Sequence, residues 1–176
     1  MDTKRNLFER IDANVTRWMA RWGIRLLRLS LGIVFLWFGI LKLFPGLSPA
    51  QTLAGDTINI LSFGIVSPQL ANIILGVWEC LIGLGLITGI WMRVVILLLL
   101  VQMAGTITPV FLFPAQVFAR FPYAPTLEGQ YIIKNLVLIS AAIVIGATVR
   151  GGAVIADPDL AQQAKQKEEL REKAGQ

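Results

Sequence analysis

Histidine is absent from this 176-residue chain, and cysteine occurs once, at Cys80. The first absence excludes His-ligated haem, histidine-containing zinc sites, C2H2 fingers, and Ser-His or Cys-His catalysis within the chain. The second excludes an internal disulfide and any CxxC redox centre. Cys80 itself sits in an apolar stretch among small residues and reads as a packing residue rather than a nucleophile. No GxGxxG or comparable cofactor motif is present. Charge is scarce: 15% of the residues are charged against 55% hydrophobic. That balance, in a chain of one-domain length, describes a membrane protein rather than a soluble globule.

What is present is organised around Ile73 to Gly89, IILGVWECLIGLGLITG, an apolar helix-length run with one carboxylate, Glu79. Gly76, Glu79, Cys80 and Gly83 fall at i, i+3, i+4 and i+7, so the glutamate shares a helix face with small residues. In a membrane helix that is where a neighbour approaches, and an ionisable group there faces protein rather than lipid.

Along the chain, residues 1–23 read as an amphipathic helix in the membrane interface rather than a signal peptide. Phe8, Ile11, Val15, Trp18, Met19 and Trp22 repeat at helical spacing, and no small-residue cleavage site follows. A partner-binding helix is the rival reading. Trp18, Trp22, Arg25 and Arg28 are the expected interface residues, the arginines snorkelling. The first span is expected over 24–43, with Arg28, Gly32, Phe35, Gly39 and Lys42 on its inward face. Ser48-Pro49 opens a short segment to Phe63, lying over the outer face or re-entrant.

Ser67-Pro68 caps a second span to about residue 90, and a third is expected over 93–113. Its outer half, Gln102, Gly105, Thr106, Thr108 and Pro109, is either a kink or a polar pocket wall. Pro109 leaves a carbonyl unpaired that Thr or Gln side chains remedy. An aromatic, proline-rich loop leads to Thr126, the cap of a fourth span over 127–149 that carries Lys134 and Asn135. Residues 151–176 read as a polar helical tail.

Basic residues crowd before Leu29, with Arg93 and Arg150 at the same ends of later spans, whereas the opposite loops offer only Lys42 and Arg120. The positive-inside rule then puts both termini in the cytoplasm. A basic end beside an apolar run indicates an anionic membrane surface rather than nucleic acid. The expected fold is all-α: an integral membrane four-helix bundle with an N-terminal interfacial helix and a short outer-face helix between the first two spans.

RLSLGIVFLWFGILKL, with its Arg-Leu start, paired glycines and Lys42 ending, resembles the first helix of DoxX-like membrane proteins. The glutamate-bearing, glycine-rich second helix and EGQYIIKNLVLISAA in the fourth are similar to the same superfamily, over about Arg25 to Arg150. The resemblance implies a compact four-helix bundle in the bacterial cytoplasmic membrane. Some relatives, such as the DoxD-type subunit of thiosulfate:quinone oxidoreductase, belong to membrane redox systems reaching the quinone pool.

The leading expectation is an accessory component of a membrane redox or stress-response system, not catalytic alone. It would hold a quinone or another lipophile in a polar cavity formed by Lys42, Glu79, Gln102, Thr106, Lys134 and Asn135. A small proton-coupled transporter is the alternative, because buried Glu and Lys mark ion paths. A scaffold whose buried charges fix helix register is the third. Expected partners are the bilayer, a membrane or peripheral redox protein, and a second copy, with no nucleic acid; no metal site is expected. Counting from Ser67 and Thr126, Glu79 lies ~18 Å and Lys134 ~10 Å along helices descending from the same side. The two are therefore expected to pair, with Lys42 as the competing partner.

Overall fold

The computed structural model describes residues 2–48 and 51–174, with the side chains at 2–6, 168, 171, 172 and 174 excepted. Met1 and Gln176, which the topology expectation concerns, and Pro49, expected to open the short helix, lie outside the described residues. The chain divides into two compact units, Leu27–Val149 and the pair of ends Met1–Leu26 with Arg150–Gln176.

Helix α1 runs from Asp2 to Lys42 without interruption. The interfacial helix and first span, expected to part near Gly23, are thus one helix. Glycine lowers helix propensity by only about 1 kcal/mol relative to alanine, which is too little to break a long helix without a proline or a cap beside it. Helix α2 spans Gln51–Leu61 and α3 spans Pro68–Thr88. Ser67 caps α3 as its sequence signal requires, its hydroxyl accepting from the Leu70 N–H at 3.4 Å. At the other end, Gly89 takes the left-handed conformation (φ +76°) and its N–H bonds the Gly85 carbonyl. Trp91, also left-handed (φ 49°), turns the chain directly into α4, Met92–Ile107.

The third span is broken where Pro109 stands: α4 ends at Ile107 and a short α5, Pro109–Leu112, continues it. Pro109 has no N–H for the Gly105 carbonyl. The Thr108 N–H and hydroxyl take that carbonyl instead, donating at 3.2 Å and 2.7 Å. The loop that follows holds a helical turn, α6, Pro114–Val117, and a small hairpin of β1, Phe118–Arg120, with β2, Ala124–Pro125. This hairpin is the one departure from all-α structure among the described residues. Thr126 then caps α7, Leu127–Ala147, its hydroxyl accepting from Gly129 N at 3.1 Å. The polar tail forms α8, Pro158–Ala174, begun by the Asp157 carboxylate accepting from the Asp159 and Leu160 N–H groups.

Among the described residues, four stretches are long and apolar enough to cross a bilayer: Leu7–Lys42, Pro68–Thr88, Met92–Leu112 and Leu127–Ala147. Within Leu27–Val149 they enclose a core of Leu31 and Phe35 from α1, Ile82 and Leu86 from α3, Val95, Ile96, Leu99 and Met103 from α4, and Ala142 and Ile145 from α7. Their other faces carry exposed Ile33, Trp37, Val77, Leu81, Leu97, Val101, Leu136 and Val137. Apolar side chains outside a well-formed core are what hydrocarbon, not water, tolerates. The chain is a multi-pass membrane protein.

The small-residue faces of α1 and α3 meet. A Cβ on Gly83 would lie 2.5 Å from Leu36 N and 2.8 Å from Gly32 O, and one on Gly39 would lie 2.8 Å from Cys80 N. The helices therefore touch backbone to backbone, a packing that only glycine permits and that dispersion makes favourable in lipid. Gly85 and Gly89 also pack within this chain. Val95 covers Gly85, and the Arg28 guanidinium lies where a Cβ on Gly89 would be, at 2.7 Å.

Candidate functional site in the helix bundle

The antiparallel contact sets the depth of Lys42. Arg28 lies level with Gly89, Gly32 with Gly83, Gly39 with Cys80, and Lys42 with Gly76, whose Cβ would sit 3.2 Å from that of the lysine. Helix α1 thus stops eight residues short of Pro68, where α3 begins. That shortfall is ~12 Å of helix rise. The space above it is taken by α2, which packs on the first turns of α3: a Cβ on Gly55 would lie 2.9 Å from Pro68 Cβ. Asn72, buried on α3, ties the two helices by donating from Nδ2 to Gln51 O at 3.1 Å, while the same nitrogen also donates to Pro68 O of its own helix at 2.8 Å. The short segment thus packs against the first turns of α3, beyond the level at which α1 ends.

Because α1 ends inside the bundle, its last residue reaches the Glu79 carboxylate. Lys42 Nζ donates to Glu79 Oε2 at 2.6 Å and Gln102 Nε2 donates to Glu79 Oε1 at 2.6 Å. Glu79 and Gln102 are 8% and 7% exposed, and the bond partners use both carboxylate oxygens. The expected Glu79–Lys134 pair does not form. Lys134 Nζ lies instead 5.9 Å from the centroid of the Tyr131 ring, one turn toward the start of α7. A difference in depth of ~8 Å, within reach of the two side chains together, was a necessary condition for that pair; azimuth decided against it, since residue 134 is on an exposed face and residue 135 turns inward. Asn135 Nδ2 donates to Thr106 Oγ1 at 3.0 Å, and that hydroxyl donates to Met103 O at 2.8 Å.

All six polar residues singled out in the sequence border one cavity of about 540 Å³. Its walls are largely apolar, with Phe35 and Phe38 from α1, Leu53 and Ile58 from α2, Trp78 from α3 and Leu138 from α7 among them. The volume falls in the ~300–1,000 Å³ range of small-molecule sites. Two polar groups of the wall have no signal in helical periodicity: Thr57, buried on α2, and Trp78, whose Nε1 donates to Leu98 O at 3.2 Å. Only the placement of α2 over the end of α1 brings Thr57 to the cavity. Asn72 does have a sequence signal, a carboxamide just inside the Ser67-Pro68 cap.

The expected interface residues divide. Arg25 stacks on Trp22, its guanidinium carbon 5.2 Å from the ring centroid, and Trp18 is exposed. Arg28 is instead half-buried against the carboxyl end of α3, where a cation meets the negative end of the helix dipole. Among the described residues, no group of three or more His, Cys, Asp or Glu side chains could hold a metal ion.

A family model described as DoxX matches residues 23–115, 93 of the 176 residues. No curated protein and no solved structure matches the chain.

Proposed function

The chain belongs to the DoxX family, and from that premise we propose that it is an accessory component of a membrane redox or stress-response system that holds a quinone or another lipophile between its helices. The cavity is the observation that carries this reading. It joins apolar walls, suited to a hydrocarbon tail, to a polar pole where Lys42, Glu79 and Gln102 meet. The residues fit a quinone head: the Lys42 ammonium has three N–H donors, and the one bond seen to a side chain uses one of them. A bound quinone would supply the electron-carrying chemistry. The chain itself would bind the head at Lys42, keep the Glu79 carboxylate compensated and exclude water with α2. Electrons would come from a membrane or peripheral partner, because the chain offers no histidine and no cysteine pair.

The proposed location is the bacterial cytoplasmic membrane with both ends in the cytoplasm, supported by the crowding of basic residues before Leu29. Extraction into lipid nanodiscs followed by mass spectrometry tests the ligand. A lipophile enriched over bulk lipid, and lost in Ala54→Trp, which fills the cavity from α2, is the expected result. No enrichment, or equal enrichment in the variant, would overturn the reading.

One observation favours a proton-coupled transporter as the second reading: a helix that ends at membrane depth beside a buried ion pair is how many carriers build a substrate site. Proton flux in liposomes that disappears in Glu79→Gln would select it. Without either result, the buried charges serve helix register alone.

A further inference from the structure

We propose that the head group of the cavity's ligand is neutral and carries a hydroxyl, as in a phenol, a quinol or a long-chain alcohol, with Gln102 Oε1 receiving its proton-bearing oxygen. This deepens the ligand-holding reading above and rests on it.

The starting point is the direction of the Gln102 amide. Carboxylate oxygens only accept, so the amide end facing Glu79 Oε1 at 2.6 Å is the NH2 group. That assignment leaves Oε1 on the far side, in a residue 93% buried by its 7% exposure, with no hydrogen-bond partner. A buried acceptor left bare is an uncommon and costly feature in proteins, and it asks for an explanation, of which a donor from outside the chain is one. Gln102 stands on the cavity wall, so the partner it lacks is a donor arriving through the cavity.

Charge then narrows the class. Lys42 and Glu79 cancel across a 2.6 Å ion pair, and the other charged residues of the wall, Glu128 and Lys134, also sum to zero. A charged head would enter this apolar space uncompensated, whereas a neutral one would not. Lys42 contributes further donors and Gln102 an acceptor, both held against the same carboxylate. A hydroxyl answers both, accepting from the ammonium and donating to Oε1. A carbonyl or an ether oxygen answers only the first and leaves Oε1 bare. If the lipophile is of the quinone type, the cavity selects its reduced form. Contact with Oε1 requires the amide to turn toward the cavity, since that atom is buried.

Two synthetic probes of nearly identical shape test this: 4-nonylphenol and its methyl ether, 4-nonylanisole, titrated onto the full chain in lipid nanodiscs, with empty nanodiscs subtracting partition. The phenol is expected to bind roughly tenfold more tightly, the size of one hydrogen bond to a buried neutral acceptor. In Gln102→Leu the preference should fall to near unity while the ether still binds. Equal affinities, or a tighter ether, in the native protein would overturn the hydroxyl assignment and leave a lipophile cavity standing. A preference that survives Gln102→Leu would remove Gln102 from the role. Saturable binding of neither probe would overturn both the assignment and the ligand-holding reading.

Discussion

The Lys42–Glu79 pair can be tested against its displaced rival in two double-mutant cycles. Lys42→Met removes the cation and leaves Glu79 with one partner, the Gln102 amide at 2.6 Å. Glu79→Gln removes the charge but keeps an oxygen to accept from Gln102. An uncompensated charge at the centre of a spanning helix costs ~2.5–3.5 kcal/mol on insertion scales. Both side chains keep some access, 12% for Lys42 and 10% for Glu79, so we place each single loss somewhat lower, at about 2 kcal/mol. The double variant leaves neither charge stranded and should lose little more than one single variant. The coupling is then about 1–2 kcal/mol, within the range for residues in direct contact. Polar pairs in membrane proteins average only ~0.6 kcal/mol with a maximum near 1.7, so a value at the lower end is still a positive result. The parallel cycle with Lys134→Met and Glu79→Gln should be additive within ~0.5 kcal/mol, because those residues share no bond. Reversible unfolding in mixed micelles reads all four variants of each cycle. Additive losses for Lys42 with Glu79, or strong coupling for Lys134 with Glu79, would refute the reasoning.

Gly83→Ala, whose Cβ would lie 2.5 Å from Leu36 N, should lose about 1–3 kcal/mol by forcing α1 from α3. Gly105→Ala, with nothing within 4 Å of its Cβ, should be neutral or stabilising by up to ~1 kcal/mol in the same assay. Asn72→Ala removes the side-chain bond from α3 to Gln51 of α2, and amide exchange should rise over Leu53–Leu61 while that of Ile82 and Leu99 holds; a uniform rise would mean that Asn72 supports the whole bundle instead. Trp18→Ser with Trp22→Ser should raise protease cleavage before Arg25 and leave the detergent melting temperature nearly unchanged, and loss of the fold would place that segment in the core. For topology, single cysteines at Asp12, Asp56, Tyr123 and Gln163 in Cys80→Ala are offered an impermeant thiol reagent in intact cells. Labelling at 56 and 123 alone is expected, and labelling at 12 and 163 alone would invert the orientation.

Much of this protein is legible in one dimension. Hydrophobic length set the four spans, because crossing hydrocarbon demands about twenty consecutive apolar residues whatever the neighbours do. Ser67 and Thr126 marked two helix starts through bonds within one turn, and Gly32, Gly39, Gly76 and Gly83 marked the faces that meet, since small residues at helical spacing serve only close approach. Composition also drew attention to six polar residues, each conspicuous against an apolar background. Which of them bond was decided elsewhere. The register of α1 on α3 depends on how glycine backbones interlock over some fifteen residues, and that register, not the depth counted from caps, put Lys42 beside Glu79. The angle of α7 about its own axis, set by packing on α4, turned Asn135 toward Thr106 and left Lys134 exposed. The early end of α1 and the seating of α2 above it follow from the same contacts, and with them the cavity. Periodicity reports which residues share a face; only packing between helices fixes which faces, at which height, meet.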